Sequence, residues 1–196
     1  THDAVDHAHL LLERAQCVGV QAALTRHDLT AQVGRQLIPQ FALLVLRYEA
    51  GADAVQLFDT WAGLLSREDY RRFVLPHQET VFASIAAFGA PAILYVNGGS
   101  HLLAEMSASG AGVLSVDWRT SLREARELLG EETGLQGNLD PSLLFGPVGE
   151  VRRKTEEILD EMSGDRGFIF NLGHGVLPET PVESVRALVD TVQARD

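Results

Sequence analysis

A single cysteine, Cys17, stands in the 196 residues, so no disulfide can close within the chain and no site built on several thiolates is open to it. Basic residues are also scarce: 16 Lys and Arg against 27 Asp and Glu leave a formal net charge of −11, and no local basic stretch interrupts it. A field of that sign repels nucleic acid and anionic membrane surfaces, so neither is expected as a partner. The longest apolar run, residues 41–46, falls far short of the ~20 residues that a membrane span needs. No basic segment followed by an apolar one opens the chain, and with the lone thiol this predicts a reducing, cytoplasmic setting. H-E-x-x-H, C-x-x-C, G-x-S-x-G and the glycine-rich nucleotide-binding patterns are all missing. Zinc hydrolase, serine hydrolase and nucleotide-binding templates therefore lose their support. The chain opens on Thr1 rather than Met, as expected of a processed or partial product.

What is present is an ordinary globular composition, 45% apolar and 22% charged, on a chain shorter than the roughly 250 residues of a closed (β/α)₈ barrel. From residue 53 onward short apolar runs recur at 54–58, 92–96, 113–116, 134–136 and 168–172, each followed by a helix-like stretch. Ile93-Leu94-Tyr95-Val96 and Val113-Leu114-Ser115-Val116 are nearly continuous rather than alternating. That pattern belongs to strands buried on both faces and predicts a parallel sheet. Helix signals lie between the runs. Ser66-x-x-Asp69 and Ser121-x-x-Glu124 read as caps, Thr180-Pro181-Val182-Glu183 as a capping box, Pro147 as a helix opener and Pro76 as a divider of the stretch 66–88. Before residue 50 the pattern is helical only, over 29–49, preceded by a polar, His-rich stretch 1–27, and no strand is expected there. His7 and His9, two apart, would point away from each other on a helix, so with His2 they read as tail rather than metal site. Five βα units fit either an open doubly wound sheet or the larger part of a (β/α)₈ barrel, and periodicity does not choose between them.

In either fold ligands meet the C-terminal ends of the strands, and there the sequence turns polar. Asp59-Thr60-Trp61, Asn97-Gly98-Gly99, Asp117-Trp118, Gly137-Asn138-Leu139-Asp140 and Gly173-His174-Gly175 follow the five runs in turn. His174 is the sharpest candidate, because flanking glycines let the backbone approach a ligand and an imidazole can donate, accept or carry charge near neutral pH. Asp59 and Thr60 follow on the same argument, with the alternative that either one caps the next helix or turn. Asp117 and Asn138 fit turn-organising roles as readily as binding ones. Asn97-Gly98-Gly99-Ser100 could offer N–H groups to an anion.

Three blocks in order, Ala50-Gly51-Ala52-Asp53-Ala54-Val55-Gln56-Leu57-Phe58-Asp59-Thr60-Trp61-Ala62-Gly63, Leu135-Gln136-Gly137-Asn138-Leu139-Asp140-Pro141 and Phe170-Asn171-Leu172-Gly173-His174-Gly175, resemble the uroporphyrinogen decarboxylase family. Val116-Asp117-Trp118 fits a fourth, and the likeness runs over roughly residues 30–193. The resemblance implies a (β/α)₈ barrel of which this chain supplies about the last five βα units. The partial barrel then occupies residues 29–196, preceded by a helical or polar N-terminal segment, residues 1–28, over which the resemblance does not extend. It further implies decarboxylation of the four acetate groups of uroporphyrinogen III to coproporphyrinogen III in porphyrin biosynthesis, without metal or organic cofactor, by a homodimer. Thr60 matches the family's substrate-contacting hydroxyl residue and His174 the histidine of its substrate-lining loop. The family's arginine-bearing segment, its pyrrole-binding Asp and its Tyr after the third strand find no counterpart in these residues. The alternative is therefore a non-catalytic partial barrel that binds a tetrapyrrole or a partner chain without turnover. Cobalamin-linked methyltransferases resemble the same barrel, but their zinc site takes more cysteine than Cys17 alone supplies.

Overall fold

Six strands run parallel in one sheet: β1 Val18–Ala22, β2 Val55–Asp59, β3 Ala92–Val96, β4 Val113–Ser115, β5 Gly134–Leu139 and β6 Phe168–Leu172. This is the computed structural model of the chain, and it describes residues 18–22, 48 and 50–195. His2, His7, His9 and Cys17 lie outside the described residues, as does the helix expected over 29–49 apart from Tyr48. The spatial order is the chain order, β1-β2-β3-β4-β5-β6. A doubly wound sheet reverses its strand order at a switch point, whereas a barrel wall advances one neighbour at a time. The topology thus makes the choice that periodicity leaves open, and makes it for the partial barrel.

One expectation is corrected at the start of the chain. The sequence pattern gives no strand before residue 50, yet Val18–Ala22 pairs in register with β2, Val18 opposite Val55 and Ala22 opposite Asp59. The strand lies within residues 1–28, the stretch read from the sequence as helical or polar. Val-Gly-Val-Gln-Ala is too short and too glycine-interrupted to carry a strand period. What makes it a strand is the row of N–H and C=O groups that β2 offers along its edge.

On the helix-facing side Leu57, Leu94, Leu114 and Leu135 stand in register across β2 to β5, each no more than 1% exposed. Burying each contributes ~1.5–3 kcal/mol. Against this row pack Tyr70 of α1 (Arg67–Phe73), Val81, Phe82 and Ile85 of α2 (Leu75–Ala86), Leu103 and Met106 of α3 (Leu103–Ser107), and Leu122 and Ala125 of α4 (Leu122–Leu129). Two further helices, α5 Val148–Glu161 and α6 Val182–Gln193, follow β5 and β6.

The other face is concave. Gln136 of β5 donates from Nε2 to Ser115 Oγ on β4 at 3.0 Å and to Gln56 Oε1 on β2 at 3.3 Å. On a flat sheet β2 and β5 would be about 14 Å apart, three spacings of ~4.8 Å, beyond easy reach of two side chains standing perpendicular to it. The contact exists because the sheet curls toward a barrel axis.

Local signals place most helix boundaries. Ser66 Oγ accepts from the Asp69 N–H at 3.1 Å, and Ser121 Oγ from the Glu124 N–H at 3.4 Å, as their spacing predicts. The stretch 66–88 divides at Val74, with Pro76 in the first turn of α2, and Pro147 caps α5. The capping box at Thr180 does not form. Helix α6 starts one residue later than the motif implies, with Pro181 at the N-cap accepting from Ser184 and Val185, and Thr180 Oγ1 is buried without a partner.

Candidate functional site

Phe58, Tyr95, Ser115 and Gln136 are register partners on the concave face, and two residues further along stand Thr60, Asn97, Asp117 and Asn138. Side chains alternate along a strand, so this second row continues the first toward the C-terminal mouth. The polar strand ends of the sequence therefore collect at one rim.

Asp117 ties that rim together. Its side chain is 1% exposed, and it accepts the Gly98 N–H on Oδ2 at 2.6 Å and the Arg119 N–H on Oδ1 at 2.9 Å. Arg119 Nη1 adds a third bond to Oδ2 at 2.9 Å. Asn138, also buried, donates from Nδ2 to the carbonyls of Asp117 at 3.1 Å and Thr120 at 2.5 Å. Both residues thus organise turns. The Gly98 amide that an anion at Asn97-Gly98-Gly99 would need is already bound to the Asp117 carboxylate.

The His174 loop is held by aromatic neighbours and a close backbone approach. Tyr95 donates its hydroxyl to the Gly173 carbonyl at 2.9 Å, and the Gly173 N–H donates to Leu139 O at 2.8 Å. A Cβ on Gly173 would lie 2.5 Å from the Trp118 nitrogen, so only glycine lets the loop come this near. The His174 ring then stands edge-on to Tyr95, centroids 6.1 Å apart, and to Trp118 at 6.4 Å. Tyr95 in turn meets Phe58 at 5.6 Å. Burial, followed by the negative charge of Asp117, pushes the Tyr95 hydroxyl well above the usual phenol range, which keeps it a donor to the loop. His174 itself is exposed.

Asp59 and Thr60 are adjacent in sequence but serve different surroundings. Asp59 is buried on the helix side of β2, where Oδ1 accepts from the Ala62 N–H at 3.2 Å and Oδ2 from Gln78 Nε2 at 3.2 Å, while Tyr70 donates to Gln78 Oε1. Burial raises its carboxyl to about 6 despite the hydrogen bonds that pull the other way. Its place is that of a turn cap inside the wall, the alternative the sequence allows. Thr60, half-buried, comes one residue later on the mouth side, in the turn that leads to Ala62–Leu64. Gly63 in that turn packs so close to the next loop that a Cβ would lie 2.0 Å from Asn97 O.

Sequence reasoning singles out His174, Thr60 and Asp117 as candidates but passes over Tyr95 and Arg119. Tyr95 reads there as one more apolar strand residue. Arg119 carries a signal, an acidic residue two positions before it, that acquires meaning only once Asp117 is seen buried beneath it. Among the described residues no group of three or more His, Cys, Asp or Glu is placed to hold a metal ion.

Comparison with known proteins places this rim in context. The model of the family described as uroporphyrinogen decarboxylase (URO-D) matches residues 40–195. The uroporphyrinogen decarboxylase of Thermus thermophilus is 50% identical over 145 residues, which are 74% of this chain and 42% of that protein. That of Carboxydothermus hydrogenoformans is 42% identical over 166 residues, 85% of this chain and 47% of that protein. Among solved structures, a methyltransferase from Methanosarcina mazei superposes with a TM-score of 0.70 at 27% identity, covering 84% of this chain and 48% of that one. This chain thus spans less than half the length of the curated relatives it matches. By the family model, by sequence identity and by a partial barrel with its polar rim, the chain belongs to the uroporphyrinogen decarboxylase family.

Proposed function

We propose that this chain binds uroporphyrinogen at the rim and takes part in decarboxylating its acetate groups, with Thr60 and His174 as substrate-contacting residues. The observation that carries the reading is the His174 loop, pinned by Tyr95 and Gly173 so that an exposed imidazole stands over an aromatic floor at the mouth of the curled sheet. Donors at such a mouth can pair with the carboxylates that a pyrrole carries.

Each turn of the reaction converts a ring-bound CH₂–COO⁻ and a proton into CH₃ and CO₂. As the C–C bond breaks, its electron pair passes into the pyrrole, and a proton must then be delivered to carbon. An imidazole can donate to a carboxylate or hold positive charge near neutral pH, and the Thr60 hydroxyl can donate to a second carboxylate. The family likeness also supports a cytoplasmic homodimer as the working form.

The test is incubation of the chain with uroporphyrinogen III, following CO₂ release and the conversion to coproporphyrinogen by chromatography. Turnover that falls at least tenfold in His174→Ala, with an unchanged circular dichroism spectrum, is the expected result. Full activity of that variant across the pH range would remove His174 from the site. A second reading is favoured by the chain's matching less than half of each relative: tetrapyrrole binding without turnover. Binding of uroporphyrin with no CO₂ released would select it.

A further inference from the structure

The geometry points to Arg119 as a carboxylate-recognition residue of the rim, a role that rests on the tetrapyrrole reading above and extends it. The guanidinium lies over the face of Trp118, its Cζ 4.0 Å from the ring centroid, and the same indole meets His174 edge-on. Nη1 is spent on holding it there, donating to Asp117 Oδ2 at 2.9 Å and to Asn97 Oδ1 at 3.3 Å. Nε and Nη2 donate to no group among the described residues, and the side chain is 48% exposed. A planar cation clamped at one corner and stacked on one face has its remaining N–H groups fixed in direction. That is the arrangement that favours a bidentate carboxylate, because little conformational freedom is left to lose on binding. Asp117 does not cancel this use. It is buried beneath the loop and also holds two backbone N–H groups, so its oxygens are occupied on the protein side.

Position gives the residue its substrate. Trp118 touches both Arg119 and His174, so guanidinium and imidazole belong to one part of the rim and can meet substituents of the same pyrrole. Uroporphyrinogen bears two carboxylates on each pyrrole, and a chain of net charge −11 has to offset its own field wherever it takes up such an anion. Arg119 supplies a guanidinium for this at the rim, next in sequence to Trp118.

The test uses the whole chain with uroporphyrin, the stable octacarboxylate ring, titrated by fluorescence at fixed low salt. Wild type is compared with Arg119→Gln, which removes the charge, and Arg119→Lys, which keeps it without the fork. Arg119→Gln is expected to weaken binding about tenfold and to lower the salt dependence of affinity, with Arg119→Lys losing only about threefold. Both variants binding as tightly as wild type would overturn the assignment while leaving the tetrapyrrole reading intact. An equal loss in both variants, with a changed near-ultraviolet spectrum of Trp118, would overturn it in favour of a loop-holding role. Failure of the wild-type chain to bind uroporphyrin would overturn the tetrapyrrole reading itself, and this one with it.

Discussion

At the scale of single residues, neighbours in sequence divide between wall and mouth. Asp59 points into the helix layer and Thr60 follows it in the turn at the rim, and the two should respond to different measurements. Thr60→Val removes one hydroxyl at nearly constant volume and is expected to weaken uroporphyrin binding by ~1 kcal/mol with an unchanged circular dichroism spectrum. Binding equal to wild type would take Thr60 out of the site. Asp59 is a question of stability. Its carboxyl is raised by burial to about 6. The folded state therefore holds the proton more tightly than the unfolded chain, so its contribution is present below the ordinary value of 3.8 and is lost as pH rises through about 6. Fully expressed, that loss is ~3 kcal/mol. Asp59→Asn cannot ionise, so the difference in unfolding free energy between variant and wild type should move in the variant's favour across this window. A difference independent of pH, read from urea unfolding at about pH 4 and about pH 7.5, would contradict the buried, protonatable carboxyl.

At the scale of elements, the rim is assembled by close backbone approaches rather than by long side chains. Gly63→Ala puts a methyl group 2.0 Å from Asn97 O, so the turn after β2 or the loop after β3 has to move. A loss of ~1–3 kcal/mol in unfolding free energy is expected, with weaker tetrapyrrole binding because Thr60 and Asn97 shift together. A variant as stable as wild type would show that the two loops are not in contact. The helix signals legible in the sequence held where a serine side chain reached a free N–H, at Ser66 and Ser121. They failed at Thr180, where a proline took the cap one residue later. A capping motif fixes which residues could close a helix end, but the packing of the helix decides its first turn.

At the scale of the whole molecule, β1 and β6 stand at the two ends of the strand order. Among the described residues β6 is also less covered than its neighbours: Phe168, Ile169 and Leu172 are only partly buried and Asn171 is exposed. Beyond it, Val176 and Leu177 are 56% and 45% exposed. A strand with no second partner among the described residues, next to exposed apolar side chains, is a template for further pairing. The purified chain is therefore expected to self-associate, with a sedimentation coefficient that rises with concentration and with binding of a dye specific for apolar surface. A concentration-independent monomer with low dye binding would contradict this.

The sequence by itself determined the five βα repeats, their parallel sense, the polar character of their C-terminal ends and the family, because apolar runs, caps and contiguous motifs are properties of neighbouring residues. Val18–Ala22 escaped that reading, since its strand conformation comes from pairing with β2 and not from its own pattern. The choice of barrel over doubly wound sheet likewise waited for the strand order and for the Gln136 to Gln56 bond across the concave face. The roles within the rim also came only from tertiary structure. Asp59 turned inward because strand alternation placed it on the helix face. Arg119 became a candidate because Asp117, buried by loops from two strands, gave its guanidinium a fixed direction over Trp118. Contacts between residues far apart in the chain decide such roles, and composition and spacing do not contain them.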